Sequence, residues 1–335
     1  EQFGWGELET RAYYETVDHF MDFGPDKRYW YGMASGQGSE CSPVAGVGDP
    51  MMSWCAAGMP MYSESDTAGF TMKANYELSE LDMLKLGFEA QQYNLDDYWT
   101  PSGANMWPNT FLNINNGERD RYALFAEWES QQNEKWVTTA GIRYEHVVSD
   151  ADDVNGYADN NGMGMMMNNQ KRDSDAFNAR DHKKTDNNID LSLLANYQHD
   201  EELDMVFGLA RKVRSPNLHE RYTWSTWQMA AFMNNFVGDG NGYLGNLDLK
   251  PETAYTISST FDFHNESREW EVKLTPFYTY VEDYIDAVPV GAFTPNNFNV
   301  LQYENQSARL YGIDLSGEMS LGRNSWGDWK LSALV

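Results

Sequence analysis

Residues 8–21 read LETRAYYETVDHFM, and apolar and polar side chains alternate along them. Leu8, Ala12, Tyr14 and Phe20 fall on one face of an extended chain, while charged residues gather on the other. A period of two predicts a β-strand with one apolar face and one polar face. The strand covers about fifteen residues, whereas a tilted strand crosses a lipid bilayer with roughly 9–11.

The same alternation recurs along the rest of the chain. We count about eleven strands of this kind, each near or above the length that spans a bilayer. After the first, they are predicted at residues 70–78, 84–93, 122–128, 136–144, 189–197, 203–209, 257–263, 270–285, 308–319 and in the tail from 329.

The connections between these strands alternate between short and long. Short ones are predicted near residues 79–82, 131–135, 198–202, 264–269 and 322–327. Long ones, rich in Gly, Asn, Asp, Pro and Met, are predicted at 23–69, 97–120, 149–188, 214–253 and 286–305. A soluble solenoid or sandwich seldom carries so many long loops on one side. The pattern favours an all-β fold, a transmembrane antiparallel β-barrel with short turns at one end and long loops at the other.

Composition limits the function. The 335 residues carry a formal net charge of −27, which argues against nucleic acid as a partner and is compatible with attracting cations. We find no nucleophile elbow, phosphate loop or His-Glu-x-x-His motif, so the sequence predicts a protein that is not an enzyme.

Four segments resemble the barrel of TonB-dependent outer-membrane receptors. Residues 214–222, RSPNLHERY, resemble their R-[AS]-P-x-L-x-E-R segment, and residues 245–253, GNLDLKPET, resemble G-N-x-x-L-K-P-E-T. Residues 277–285, FYTYVEDYI, and 308–315, ARLYGIDL, resemble two further strand segments of the same family in the same order. The resemblance extends over essentially the whole chain.

The resemblance implies a location in the outer membrane of a Gram-negative bacterium, with membrane lipid around the barrel. It also implies a 22-stranded barrel filled by an N-terminal plug domain, through which the TonB complex supplies energy. On that basis residues 1–335 form a partial barrel domain. The plug domain and the last strands are expected outside this sequence.

A possible metal site lies at the end of the first strand. His19 and Met21 are two residues apart and point the same way, as an imidazole and a thioether of a soft-metal site would. They could equally be a strand-end histidine and a packing methionine, because His-x-Met is a short pattern. Residues 13–22 also resemble the copper-importing branch of the receptors, in which an H-x-M pair of the barrel meets a C-x-x-x-M pair of the plug. The resemblance thus implies His19 and Met21 as metal ligands.

Cys55 and Met59 repeat the C-x-x-x-M spacing in the loop that follows and are additional candidate ligands. Alternatively, Cys41 and Cys55 form a disulfide, which suits an oxidising compartment and would stabilise the loop by about 3 kcal/mol. A bridged Cys55 would not bind copper.

The sequence therefore predicts a receptor that imports copper ions as its transported ligand. Two alternatives stay open. A receptor for an iron–siderophore or haem shares every barrel motif, and Trp224, Trp227 and Phe232 offer aromatic surface for such a ligand. A passive porin or a surface adhesin is the alternative from a different class.

Overall fold

We describe the protein from a computed structural model. The described residues are 2–3, 6–21, 28–30, 39–40, 55–57, 61–100, 109–157, 168–295 and 297–334. Among them, no helix is long and apolar enough to cross a membrane.

One large antiparallel sheet dominates the described chain. Its long strands are β2 (Gly6–Met21), β6 (Met61–Glu77), β7 (Asp82–Trp99), β8 (Phe111–Gln131), β9 (Trp136–Asp150), β10 (Lys184–Gln198), β11 (Leu203–Arg214), β13 (Glu252–His264), β14 (Trp270–Pro289), β15 (Val300–Asn324) and β16 (Gly327–Leu334). Each pairs with the next in chain order, so the sheet is a series of hairpins. The predicted all-β barrel architecture and strand series are confirmed, and this segment of sheet does not close on itself.

The remaining elements are short, and all but β1, which pairs with the start of β2, lie at or near the long connections. They are β1 (Gln2–Phe3), β3 (Arg28–Trp30), β4 (Ser39–Glu40), β5 (Cys55–Ala57), β12 (Gly242–Leu244), α1 (Asn168–Asn178), α2 (Leu218–Tyr222) and α3 (Gln228–Met233). Strands β3, β4 and β5 form a separate small sheet, and β12 adds to β15 in parallel.

The predicted connection lengths need correction at the long-loop end. The short turns lie close to their predicted positions. In contrast, β6 begins at Met61 and β8 at Phe111, inside segments predicted as loop. Likewise β10 begins at Lys184, and β14 continues to Pro289. In β6, β8 and β10, both faces of these extensions are rich in polar residues, so the extensions lack the alternation that marks the rest of each strand.

The two faces of the sheet differ as predicted. The outer face carries large apolar side chains that are exposed, such as Leu124 at 60% and Ile313 at 64%. The inner face carries a polar network in which Gln91 donates to the Tyr13 hydroxyl (3.1 Å) and accepts from Arg121 (3.2 Å). Arg121 in turn forms an ion pair with Glu145 at 2.6 Å. The inner face is therefore the polar one.

Packing on the inner face at the long-loop end forms a hydrophobic cluster that we call the cap. Strand residues and loop residues meet in it: Met61, Leu95, Trp99, Phe111, Ile114, Ala151, Val154, Tyr157, Phe177, Leu218, Tyr222, Trp224, Met229, Ala230 and Leu247. Phe111 is fully buried and stacks between Trp99 and Trp224, with centroid distances of 4.5 and 4.9 Å. The cap thus fixes the loops over one end of the sheet.

Candidate metal site

His19 and Met21 lie among the last residues of β2, at the long-loop end of the sheet. Side chains alternate along a strand, so both share a face with Tyr13, which belongs to the inner polar network. Tyr13 reaches across the neighbouring strand above Gly69, where an added Cβ would lie 2.1 Å from its ring. The structure therefore places His19 and Met21 together on the inner face.

The next strand supplies a second thioether. Met21 is directly opposite Met61 in the register of β2 and β6, and Met61 is opposite Trp99 of β7. Directly opposed residues have Cβ atoms roughly 4.5–5.5 Å apart. Met21 is 45% exposed, whereas Met61 is 5% exposed within the cap. The Met21 thioether is therefore open to the barrel interior, whereas the Met61 thioether is buried in the cap on the neighbouring strand.

A polar row runs parallel to this methionine row. His19 is opposite Ser63, and Ser63 is opposite Asp97, which is 1% exposed. The Asp97 Oδ2 atom accepts from Asn113 (2.9 Å) and lies 3.6 Å from His219 Nε2. Its Oδ1 atom is buried without a partner. A carboxylate thus lies two strands away from the His19 imidazole.

The cap behind these rows is held by polar bonds as well as by packing. Asn113 donates to Asn234 Oδ1 (2.8 Å), which joins β8 to the end of α3. The Tyr222 hydroxyl donates to the His182 carbonyl (3.0 Å), and burial raises the pKa of Tyr222 to about 12. The hydroxyl therefore stays protonated and bonded at neutral pH.

The aromatic residues that a large chelate would need are partly engaged elsewhere. Trp224 is 5% exposed, and its indole N–H donates to the Leu112 carbonyl at 2.8 Å. Trp227 packs against the cap. Phe232 is 42% exposed. Of these three aromatic side chains, Phe232 offers the most open surface.

The other predicted ligands cannot be placed. Cys41 and Met59, and the side chain of Cys55, lie outside the described residues. Within the described part of the chain, no three His, Cys, Asp or Glu side chains converge on a possible metal position. His19 and Met21 are thus the predicted ligands that the structure brings together.

Sequence reasoning missed the positions of Met61 and Asp97 on the strands beside His19 and Met21. Met61 was assigned to a loop, because residues 62–67 after it are mostly polar on both faces. Asp97 was also assigned to a loop. The register of a strand that continues beyond the alternating segment would have found both, since Met21–Met61 and His19–Ser63 follow from pairing Tyr13 with Gly69.

The family model described as "TonB dependent receptor-like, beta-barrel" matches residues 3–335. No curated protein sequence matches the chain. Among solved structures, the copper transporter OprC is similar at 16% identity with a TM-score of 0.63, over 99% of this chain and 42% of that one.

Two other solved structures have the same fold. The siderophore receptor PirA from Acinetobacter baumannii gives 15% identity and a TM-score of 0.55, over 96% of this chain and 41% of that one. The Serratia marcescens hemophore receptor HasR, solved with its hemophore HasA and heme, gives 13% identity and a TM-score of 0.58, over 99% of this chain and 46% of that one. The chain thus spans less than half the length of these structures.

Proposed function

Because this chain belongs to the TonB-dependent receptor β-barrel family, we propose that it forms part of the wall of a receptor that imports copper ions. The chain lies in the outer membrane of a Gram-negative bacterium, as its sequence predicted, and its family consists of transporters rather than enzymes. We further propose that residues 1–335 are a partial barrel whose remaining strands and plug domain belong to the rest of the receptor.

The observation that carries the copper proposal is the pairing of His19 and Met21 on the inner face beside Met61. Short turns of outer-membrane barrels face the periplasm and long loops face the exterior. The pair therefore lies towards the outer mouth of the barrel, where an incoming ion arrives first.

The donor chemistry suits a soft metal. Thioethers select Cu(I), and an imidazole binds copper in either oxidation state. Met21 and His19 project from the same strand face, and Met61 adds a thioether from the strand beside it. Further ligands would come from the plug domain, where related copper importers carry a C-x-x-x-M pair. Cys55 and Met59 remain additional proposed ligands if Cys55 is not bridged to Cys41.

Release of the ion into the periplasm would require movement of the plug. We propose that the TonB complex acts on the plug as it does in the family, while the strands of this chain serve as a fixed wall. The ionic contacts of the inner face, such as Arg121 with Glu145, hold that wall in place.

A siderophore or haem receptor is the second candidate, supported by the fold that the chain has in common with such receptors and by exposed Phe232. It is less favoured because Trp224 is committed to the cap. A passive porin or adhesin has no observation in its favour.

The test is the copper content of the intact receptor, measured by elemental analysis after exposure to limiting copper. Replacing His19 and Met21 together by Ala should abolish most of the bound copper and leave the barrel folded, because neither side chain touches the outer face. The substitution Asp18→Asn is the matched control, since it removes a charge from the same strand on the outer face.

A further variant separates ligation from packing. Met61→Leu keeps the volume of a side chain buried in the cap, and such a swap usually costs less than about 1.5 kcal/mol. We expect a folded receptor with weaker copper binding. If wild type and the double variant carry equal copper, or neither carries any, the proposal is wrong and uptake of iron chelates becomes the assay to pursue.

A further inference from the structure

The outer face of the described strands carries a cation at only two positions. Arg211 of β11 and Arg309 of β15 are two residues from Leu209 and Tyr311, so they share the face that meets the membrane with these apolar side chains. The register joins them through two tyrosines, because Arg211 is opposite Tyr255, Tyr255 is opposite Tyr280, and Tyr280 is opposite Arg309. We call this row the Arg–Tyr row.

The Arg–Tyr row lies at the exterior edge of the apolar belt. Arg211 is the ninth residue of β11 from its short-turn end, and Tyr280 is the eleventh of β14. A tilted strand crosses the hydrocarbon core in roughly 9–11 residues. Counted from the periplasmic turns, the row therefore reaches the headgroup level of the outer leaflet.

Neither cation is balanced within the described protein. No described carboxylate forms an ion pair with Arg211 or Arg309, while most other cations of the strands have such a partner. The Arg211 guanidinium donates to the Ile189 carbonyl and lies 5.9 Å from the centroid of the Tyr255 ring. A guanidinium has five N–H donors, so this single bond leaves most of them for an external anion.

An open groove lies directly below Arg211 on the same face. It has a volume of about 550 Å³ and is lined by Leu191, Leu193, Leu209 and Ile257, with Arg211 and Tyr255 at its edge. The groove is apolar along its length and cationic at one end. Its chemistry matches an acyl chain that ends in an anionic headgroup.

We propose that this surface binds a phosphorylated glycolipid of the outer leaflet, with one phosphate on Arg211 and an acyl chain in the groove. Strands are about 4.8 Å apart, so three spacings separate Arg211 from Arg309 by about 14 Å. This separation between the two arginines suits a headgroup that carries a phosphate at each end of a disaccharide. Glu282 accepts from the Tyr255 hydroxyl at 3.5 Å and lies on the loop side, which keeps the phosphates on the membrane side.

The proposal is tested on the intact receptor, stripped of lipid in nonionic detergent and titrated with bisphosphorylated lipid A. Wild type should bind it, and R211Q should bind about tenfold more weakly, since a charged hydrogen-bond donor is lost. R309Q should reduce the preference for bisphosphorylated over monophosphorylated lipid A. K212Q is the matched control, because Lys212 is the next residue but points to the inner face and should leave binding unchanged.

One further measurement identifies the ligand class, and a second variant guards against misfolding. Inorganic phosphate at the same concentration should not displace the lipid, because it cannot fill the groove. R211K retains the charge and should bind better than R211Q if folding is intact in both. Equal binding by wild type and R211Q, an equal loss in K212Q, or displacement by inorganic phosphate would each overturn the proposal.

Discussion

The two ends of the sheet are stabilised in different ways. At the short-turn end, consecutive strands are joined by tight turns whose bonds are local, as where Asn133 Oδ1 accepts from the backbone N–H groups of Lys135 and Trp136. At the long-loop end, the bonds join residues far apart in sequence, as between Asn113 and Asn234. The backbone of the tight turns is therefore stabilised by local bonds, whereas the cap end depends on tertiary packing.

The largest expected effect is the loss of a buried ion pair beside the cap. Arg221 is 2% exposed, and its Nη2 atom donates to both oxygens of Asp186 at 3.0 and 2.9 Å. Arg221→Met would leave Asp186 buried without its partner, which costs about 3–5 kcal/mol. We expect hydrogen exchange of residues 215–249 to accelerate strongly, while exchange in the strands near the turn end stays unchanged.

The matched control for this experiment is an exposed pair at the same end. Arg180 lies 2.6 Å from Asp248, but both side chains are largely exposed, at 43% and 71%. Arg180→Met should change stability by less than about 1 kcal/mol. If both variants loosen the cap equally, burial is not what makes the Arg221–Asp186 pair important.

The same contrast explains what the sequence could predict. Leu84, Leu86 and Phe88 alternate with polar residues because one strand face meets lipid, so the strand could be read from periodicity. Above the membrane a strand no longer needs an apolar face, so residues 62–67 of β6 do not alternate and could not be predicted as strand from periodicity. The Asn113–Asn234 pair spans 121 residues and leaves no local pattern that could reveal it.

The positions of the proposed metal ligands could be predicted to the same limit. A period of two was sufficient to place His19 and Met21 on one face, since that requires only the strand itself. Met61 could not be identified without the register of β2 against β6. Pairing is a long-range property, so a residue pattern in one strand does not reveal it.

An intermediate effect is expected at the start of α2, where local chemistry acts within the cap. Asn217 Oδ1 accepts from the Glu220 N–H, and Glu220 Oε2 accepts from the Asn217 N–H, both at 2.8 Å. Asn217→Ala should cost about 1 kcal/mol, and Asn217→Gly only a few tenths. Hydrogen exchange of α2 would measure both, and equal losses in the two variants would contradict a capping role.

The smallest expected effect lies at the turn end, at Arg268. Its φ of 50° is in the left-handed region, which costs a residue with a Cβ about 1–2 kcal/mol. Against this, its guanidinium pairs with Asp204 at 2.6 Å and Asp262 at 3.5 Å, and at 48% exposure each such pair contributes about 0–1 kcal/mol.

These opposing contributions can be separated by two substitutions. Arg268→Ala keeps the strained backbone and loses the ion pairs, so it should destabilise the hairpin by about 1 kcal/mol. Arg268→Gly loses the pairs but also relieves the strain, so its stability should stay within about 0.5 kcal/mol of wild type. Thermal unfolding of the intact receptor would be compared for the two variants. If Gly destabilises as much as Ala, the strain at Arg268 is negligible, and the ion pairs alone determine the stability of this turn.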